Sequence, residues 1–405
     1  MNERFNDGRC RLLIGDCRAS LRSLEPNSVH CCVTSPPYWG LRDYGCDGQI
    51  GLEETPDKFV EEMVEVFREV RRVLRDDGTL WLNLGDSYAG SNCGGGFGSE
   101  TITGRSVGQD QSRIAKKSIP PGRPNGLKPK DMVGIPWRVA FALQADGWWL
   151  RQDIIWSKPS PMPESVRDRC TKSHEYLFLL SKSDRYFFDS EAIKEPVTGN
   201  SKPRGSGVNA KIKHPAGWAK GSEPHDALSH NQGPRSKQNE SFSASVTGLV
   251  ETRNKRSVWT IPSVGYSGAH FATYPPKLVE PCVLAGTSDG GCCGTCGAPK
   301  VRNVEAIRES TRPGTGSKVI GRESLEVGNR DPQRHVTRTV TVGWESSCDC
   351  DSETLPCVVL DPFGGSGTTA QVAIENNRRA ILCELNPEYA ELAVRRVTET
   401  HPALF

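Results

Sequence analysis

Apolar residues along the chain alternate with turn signals in a way that predicts an α/β protein. Short apolar runs at residues 9–16, 28–34 and 78–86 are bounded by polar or glycine-containing segments, as buried strands are. Between the second and third run, residues 55–75 carry apolar side chains at helical spacing, and a threonine or an aspartate at the start could cap this helix. Alternating strands and helices imply a mostly parallel sheet that is covered on both faces.

The same alternation returns in the C-terminal part of the chain. Residues 355–397 give a strand, a glycine-rich loop, a helix, a strand and a helix in succession. Before them, residues 135–148 have the spacing of a short helix, and residues 148–157 and 175–189 predict two strands that pair across a loop. Residues 190–270 show little periodicity, so we expect an inserted segment with little core of its own.

Length and composition indicate a soluble, globular chain. Its 405 residues are 36% hydrophobic and 25% charged, and no apolar run approaches the roughly 18 residues of a membrane span. The N-terminus lacks the apolar core of a signal peptide, which favours a cytoplasmic protein. In that compartment the 15 cysteines are expected to be reduced thiols with a metal site among them.

Charge is unevenly distributed, although the formal net charge is only +2. Residues 101–130 hold seven lysines and arginines against one acid, and residues 190–260 hold eleven against six. Basic stretches rich in Gly, Ser, Pro and Asn suit contact with nucleic-acid phosphates, and they equally suit a solvated loop. These two ranges, the basic segments, favour duplex DNA as the partner.

A glycine-rich loop follows the strand predicted near residue 360. The run D-P-F-G-G-S-G-T-T places an acid at the strand end, then glycines, then the start of a helix. That order lets a ligand approach backbone N–H groups closely, and an acid that suits a ribose diol ends the next strand about twenty residues later. A P-loop is excluded, because no Gly-Lys-Ser/Thr is present. The candidate nucleoside-binding residues are Asp361, Pro362, Phe363, Gly364, Gly365, Ser366, Gly367, Thr368 and Glu384.

A second motif ends the strand predicted at 28–34. Two consecutive prolines cannot continue a strand or a helix, so S-P-P-Y at 35–38 forms a stiff elbow. Together with F-G-G-S-G at 363–367, this elbow makes the chain resemble the DNA amino-methyltransferases that use S-adenosylmethionine. The tetrapeptide precedes the glycine loop, as in the β class of that family.

The resemblance, together with cysteine pairs near residues 293 and 348 that predict a zinc knuckle, gives an expected fold and domain order. The expected fold is an α/β, Rossmann-like methyltransferase sheet in circularly permuted order, with an inserted target-recognition segment and a small zinc-knuckle insertion. The expected domains are a catalytic half at 1–189, a basic target-recognition insert at 190–269, a cofactor-binding half at 270–286 and 356–405, and a zinc-knuckle insertion at 287–355.

The resemblance also implies roles for individual residues of the elbow. An exocyclic amine is a poor nucleophile because its lone pair is conjugated with the base, so the elbow has to accept the N–H protons of the amine. A base swung out of the duplex can stack on the aromatic residue that closes the elbow. The expected catalytic residues are Ser35, Pro36, Pro37 and Tyr38.

Three further cofactor contacts are implied by the family. Asp16 would meet the adenine amine, Glu384 the ribose hydroxyls, and Phe271 with Ala272 the methionine end. Phe271 and Ala272 lie in H-F-A-T-Y-P, which departs from the commoner His-Pro-Thr form. For Asp16, a cap at the end of its strand is the alternative.

Cysteines occur at metal-ligand spacing in two places. A C-x-x-C pair on a glycine-rich turn is typical of half a zinc knuckle, and a C-x-C pair about fifty residues later adds two thiolates. Four thiolates would make the zinc structural, since they leave no open coordination position. The expected ligands are Cys293, Cys296, Cys348 and Cys350, with Cys292 and Cys357 as possible substitutes.

The expected function is site-specific methylation of cytosine N4 in duplex DNA. A serine at the head of the tetrapeptide favours cytosine N4 over adenine N6 in this family, and N6-adenine methylation is the runner-up. Two further hypotheses are an inactive zinc-dependent DNA-binding module and methylation of RNA or of a protein glutamine. A cognate restriction endonuclease is an expected partner, and the oligomeric state is left open.

Overall fold

Strands and helices alternate along the chain as the sequence pattern predicts. The computed structural model describes residues 2–41, 43–89, 127–161, 163–197, 249–263, 274–310 and 335–401. Within them the strands in chain order are β1 (Asn2–Asn6), β2 (Cys10–Ile14), β3 (Val29–Thr34), β4 (Leu74–Leu84), β5 (Trp149–Ser157), β6 (His174–Ser181), β7 (Glu195–Pro196), β8 (Leu249–Val250), β9 (Thr252–Arg253), β10 (Val258–Thr260), β11 (Cys292–Cys293), β12 (Val301–Ser310), β13 (His335–Glu345), β14 (Thr354–Leu355), β15 (Val358–Asp361) and β16 (Arg379–Glu384). The helices are α1 (Cys17–Arg22), α2 (Pro56–Val73), α3 (Ile135–Ala145), α4 (Pro276–Gly286), α5 (Thr368–Glu375) and α6 (Pro387–Glu399).

The main sheet has the strand order β1-β2-β16-β15-β3-β4-β6-β5-β10. The five strands from β2 to β4 run parallel to one another. The predicted pairing of the two strands after α3 is confirmed, since β5 and β6 are antiparallel neighbours. Strands β15 and β16 come last in the chain but lie between β2 and β3. The strand that precedes the glycine loop therefore pairs directly with the strand that precedes the Pro-Pro elbow.

Helices cover both faces of this sheet. Helices α1, α2 and α3 pack on one face, and α4, α5 and α6 pack on the other. Within β3 the side chains alternate between the two layers, since Cys32 packs with Phe67 of α2, while Cys31 packs with Cys282 of α4. This double coverage explains why β3 is buried along its whole length.

Helix α2 shows how local signals and packing agree. The Thr55 side chain accepts a hydrogen bond from the Lys58 amide at 3.2 Å, so the threonine is the N-cap, and Pro56 occupies the first helical position. Its fully buried side chains recur at helical spacing, at Phe59, Met63, Val66, Phe67, Val70 and Val73.

Several elements differ from the prediction. Strand β4 begins at Leu74, four residues early, because the chain is already extended where α2 ends. Strand β6 ends at Ser181, because the polar run after it turns and Ser183 donates to the Asp76 carbonyl at 2.8 Å. Helices α1 and α4 were not predicted, nor were strands β1 and β7 to β14; the cysteine of α4, Cys282, is fully buried. None of the described helices is long and apolar enough to cross a membrane.

The chain divides into two compact units. The first comprises Met1–Ile193, Lys255–Arg302 and Trp344–Phe405, and it contains the main sheet. The second comprises Lys194–Asn254 and Asn303–Gly343, in which β8 pairs with β13, and β7 pairs with β9. Most of the two basic segments lies outside the described residues.

Candidate active site

The Pro-Pro elbow and the glycine loop are joined by a buried hydrogen bond. Thr34, the last residue of β3, donates from its hydroxyl to Asp361 Oδ1 at 2.6 Å. Because β3 and β15 are parallel neighbours, the elbow and the loop that follow them leave the sheet at the same edge. This edge is where ligands bind in open α/β sheets.

Asp361 holds the elements of this edge together from the inside. Its carboxylate is fully buried and also accepts hydrogen bonds from the Phe363 amide at 3.0 Å, the Thr369 hydroxyl at 2.7 Å and the Tyr274 hydroxyl at 2.9 Å. Burial raises the pKa of this carboxyl group. The sequence predicts a cofactor contact here, whereas the structure places the side chain where it positions the loop.

The hydroxyls of Ser35 and Tyr38 lie beside two polar residues from other strands. Ser35 Oγ is 3.2 Å from Asn83 Oδ1, on β4, and the Tyr38 hydroxyl donates to Glu175 Oε2, on β6, at 2.7 Å. Asn83 Oδ1 also lies 3.1 Å from the Tyr38 hydroxyl. Sequence reasoning missed Asn83 and Glu175. The signal that could have found them is one polar residue within each of two apolar strand runs, W-L-N-L and E-Y-L-F.

The Tyr38 side chain is fixed at both ends. Its ring packs on Gly85, where an added Cβ would stand 2.5 Å from Cε2. Its hydroxyl is neutral, because burial raises the pKa of Tyr38 well above its ordinary value. Glu175 is itself held by an ion pair with Lys158, whose ammonium lies 4.3 Å from the centre of the Trp156 ring.

Buried residues anchor the elbow in the interior of the protein. Pro36 is buried, whereas Ser35 and Pro37 are partly exposed at the edge of the sheet. The following residue, Trp39, is also buried and donates from its indole N–H to the Glu53 carbonyl at 2.9 Å. The exposed side of the elbow is therefore the side that carries the Ser35 hydroxyl.

The glycine loop lies directly on β16. The Gly364 amide donates to the Cys383 carbonyl at 2.8 Å, and the Gly365 amide donates to Glu384 Oε2 at 2.7 Å. Gly365 has a φ of +50°, and a Cβ there would meet only the Phe363 carbonyl, at 3.9 Å. The loop thus leaves open space at its tip, where a ligand can approach the backbone.

The remaining loop residues face inward. Pro362 is buried. The side chains of Ser366 and Thr368 accept hydrogen bonds from Arg396 on α6 at 3.1 and 2.9 Å. Gly367 has a φ of +81°, and a Cβ there would lie 3.0 Å from Ala393, so this position requires glycine for conformation and for space.

Two acids end the strands next to the loop. Glu384 also accepts a hydrogen bond from the Asn386 amide at 2.8 Å, and burial raises its pKa. Asp16 caps α1 by accepting from the Arg18 amide at 2.7 Å, and its ion pair with the Arg18 guanidinium lowers its pKa. The strand-end cap that the sequence allows for Asp16 is therefore present. Phe271 and Ala272 lie outside the described residues.

These contacts make the edge suitable for a nucleoside cofactor. Glu384 is a carboxylate acceptor beside an open glycine backbone, and both features suit a ribose with two hydroxyl groups. The Ser35 hydroxyl stands at the neighbouring strand end, where a second molecule would meet that cofactor. The arrangement can therefore bring a group carried on a nucleoside next to a polar substrate atom.

The predicted thiolate cluster forms elsewhere in the first unit. Cys293, Cys296, Cys348 and Cys350 have sulfur atoms that all lie within 4.8 Å of one another. A second cluster, of His30, Cys292 and Cys357, is buried nearby, and its ligand atoms also lie within 4.8 Å of one another.

Comparison with known proteins identifies the family. A family model described as DNA methylase, of the N6/N4 type, matches residues 29–293 and 357–395. The type II methyltransferase M.SmaI of Serratia marcescens is 36% identical over 388 residues, which cover 96% of this chain and 90% of that protein. M.Cfr9I of Citrobacter freundii is 36% identical over 386 residues, which cover 95% and 87% of the two chains.

A solved structure confirms the fold. The PvuII DNA methyltransferase (cytosine-N4-specific) superposes with a TM-score of 0.50 at 15% identity, over 97% of this chain and 88% of that one. The α/β sheet described above is therefore a methyltransferase fold. With its family match and its relatives, the chain belongs to the N6/N4 DNA methylase family and is a site-specific type II DNA amino-methyltransferase.

Proposed function

We propose that the protein transfers a methyl group from S-adenosylmethionine to N4 of a cytosine that is flipped out of duplex DNA. The observation that carries transfer to an exocyclic amine is the direction of the hydrogen bonds around Ser35, and the choice of cytosine over adenine rests on the serine that heads the tetrapeptide. The Asn83 side-chain amide donates from Nδ2 to the Tyr176 carbonyl at 3.0 Å, so its oxygen faces Ser35. The Ser35 hydroxyl must then donate to Asn83, and its lone pairs remain available to accept an N–H of the substrate amine.

Such an acceptor is what an exocyclic amine requires. Accepting the N–H protons at the Ser35 hydroxyl and the Pro36 carbonyl turns the nitrogen lone pair out of conjugation with the ring and toward the methyl group. Tyr38 would flank the base, and Glu175 with Lys158 would keep the tyrosine in place. When bound, S-adenosylmethionine supplies an electrophilic methyl group whose leaving group is a neutral thioether. The elbow therefore only has to orient the amine by accepting hydrogen bonds from it, and the proton that the methylated nitrogen releases passes to solvent.

Residues at the carboxyl ends of β15 and β16, next to the elbow, would bind the cofactor. Glu384 would accept from the ribose hydroxyls, and Gly365 would let the nucleoside approach the loop. Asp16 as an adenine contact, and Phe271 with Ala272 at the methionine end, complete the proposal. For Asp16 to contact the adenine, one of its carboxylate oxygens has to accept a hydrogen bond from the adenine amine while Arg18 stays paired with the carboxylate.

The finer domain organisation belongs to the same proposal. The glycine-loop strand comes late in the chain yet lies between the strands of the first 90 residues, which supports a circularly permuted methyltransferase order. The basic segment at 190–260 would form the target-recognition insert and contact phosphates. A cognate restriction endonuclease would be expected with such an enzyme, since the names of its relatives place them in type II systems.

Methylation-sensitive sequencing of DNA from cells that express the gene tests this function. We expect N4-methylcytosine at one short recurring sequence, and a much lower level of it in cells that express the Ser35→Ala variant. Methylation of adenine N6 at such a sequence would support DNA methyl transfer by this protein but would show that its target base is adenine and not cytosine. Unmodified DNA, with the wild-type protein folded and S-adenosylmethionine available, would contradict the proposal.

A further inference from the structure

We propose that Cys293, Cys296, Cys348 and Cys350 bind one zinc ion that holds two distant chain segments together and takes no part in methyl transfer. All four sulfur atoms lie within 4.8 Å of one another, which is close enough for four thiolates to bind one tetrahedral zinc ion. The two pairs come from segments about fifty residues apart in the sequence, so their convergence is a property of the fold.

The first pair lies on a turn shaped like a metal knuckle. The Gly297 amide donates to the Cys293 carbonyl at 2.8 Å, and Gly297 has a φ of +70°, which turns the chain back sharply. The Cys296 amide lies 3.5 Å from Cys293 Sγ and points toward it. An N–H directed at sulfur stabilises the thiolate form, which is the form that binds metal.

The second pair lies on a segment that has no buried side chains to keep it in place. No residue from 345 to 354 is buried. The contacts between the two segments are polar, including Gly294 N–H to the Glu353 carbonyl at 2.9 Å and the Ser347 hydroxyl to the Pro299 carbonyl at 2.6 Å. Without apolar burial, a metal crosslink is the interaction that can stabilise this arrangement strongly.

The neighbouring cluster does not compete for the ion. His30 Nδ1 accepts a hydrogen bond from the Val358 amide at 3.0 Å, so Nε2 carries the ring proton and donates it to the Gly297 carbonyl at 2.9 Å. Neither ring nitrogen of His30 then has a free lone pair. The Cys292 thiol donates to the Leu355 carbonyl at 3.3 Å. This cluster is a satisfied interior, which favours the four-cysteine set over Cys292 and Cys357 as ligands.

The position of the site explains why its role is structural. The knuckle is attached to the sheet through His30, at the start of β3, whereas Ser35 follows the end of the same strand. Five residues of extended strand span roughly 16 Å. The knuckle is also attached through Arg75, which donates to the Cys296 carbonyl at 2.5 Å. The ion would thus order the backbone behind β3 at a distance from the reacting atoms.

Metal analysis of the full-length protein, purified under reducing conditions without added metal, tests this proposal. Wild-type protein should contain about one equivalent of zinc by inductively coupled plasma mass spectrometry. Cys293→Ser and Cys348→Ser should each lose most of it. Cys170→Ser, which removes an exposed thiol elsewhere, and Cys292→Ser should keep it. Zinc-free wild-type protein, or zinc retained in both ligand variants, would overturn the proposal.

A second measurement, on the wild-type protein, tests the same four ligands in case the ligand variants fail to fold. Cobalt(II) added to chelator-treated wild-type protein should give thiolate charge-transfer absorption and protect four thiols from alkylation, with Cys293, Cys296, Cys348 and Cys350 as the protected sites by peptide mass spectrometry. Protection of Cys292 and Cys357 in their place would contradict the ligand set. Neither measurement uses DNA or S-adenosylmethionine, so a negative result leaves the proposed methyl transfer untouched.

Discussion

Gly85→Ala should slow methyl transfer about 10²-fold by displacing the aromatic ring of Tyr38. The added Cβ would stand 2.5 Å from Cε2 of Tyr38, where ordinary contact begins at 3.4 Å, so the ring has to move by about 0.9 Å. A displacement of about 1 Å in a positioned group costs about 10²-fold in rate, or about 2.7 kcal/mol of transition-state stabilisation. The same movement would break the 2.7 Å hydrogen bond from Tyr38 to Glu175.

Single-turnover transfer of a labelled methyl group to duplex DNA measures this effect. Affinity for S-adenosylmethionine, measured by calorimetry, should stay unchanged, because Gly85 is not among the residues that surround Gly365 and Glu384. Gly343→Ala is the matched control, since a Cβ there has nothing within 4 Å and the rate should equal that of the wild type. A wild-type rate in a folded Gly85→Ala variant would refute the idea that the position of Tyr38 matters.

The remaining perturbations test separate features of the molecule. Ser35→Ala should lower the transfer rate by at least about 10²-fold, as loss of a positioned hydrogen-bonding group in an active site does, while calorimetry shows unchanged cofactor affinity. Gly8→Ala should cost about 1–2 kcal/mol of unfolding free energy in urea, because its φ is +82° but its surroundings are open. Gly367→Ala should cost more at nearly the same φ, because Ala393 lies 3.0 Å away, and equal costs would contradict the packing argument. Burial raises the pKa of Glu384, so cofactor affinity should be present above that raised pKa and be lost as the pH falls through it. In Glu384→Gln the affinity should be weak and independent of pH over the same range. Binding to duplex DNA should weaken steeply with salt, which fluorescence anisotropy measures, and a flat salt dependence would exclude phosphate contacts by the basic segments.

The sequence was sufficient where a local pattern determines the structure. The sequence placed the elbow and the glycine loop each at the end of an apolar strand, and the structure confirms both positions. The four cysteines at metal spacing were also brought together as predicted. Within each cysteine pair the spacing carries the geometry, whereas the meeting of the two pairs depends on the fold.

The side-chain positions that the sequence did not predict depend on contacts between elements far apart in the chain. Glu175 reaches Tyr38 only because β4 and β6 pair in one antiparallel register, in which Leu84 lies opposite Tyr176. Asp361 turns inward because donors from three other elements surround it, and no local pattern reports those donors. For Asp16 the choice between capping and ligand binding depends on where the Arg18 side chain goes.

Nucleoside mass spectrometry tests the proposed methyl transfer to cytosine N4 most directly. Duplex DNA is incubated with purified protein and S-adenosylmethionine and then digested to nucleosides. We expect N4-methyldeoxycytidine from the wild-type protein, and at least about 10²-fold slower formation of it by Ser35→Ala. N6-methyldeoxyadenosine in its place, or an equal yield from Ser35→Ala, would contradict the proposal.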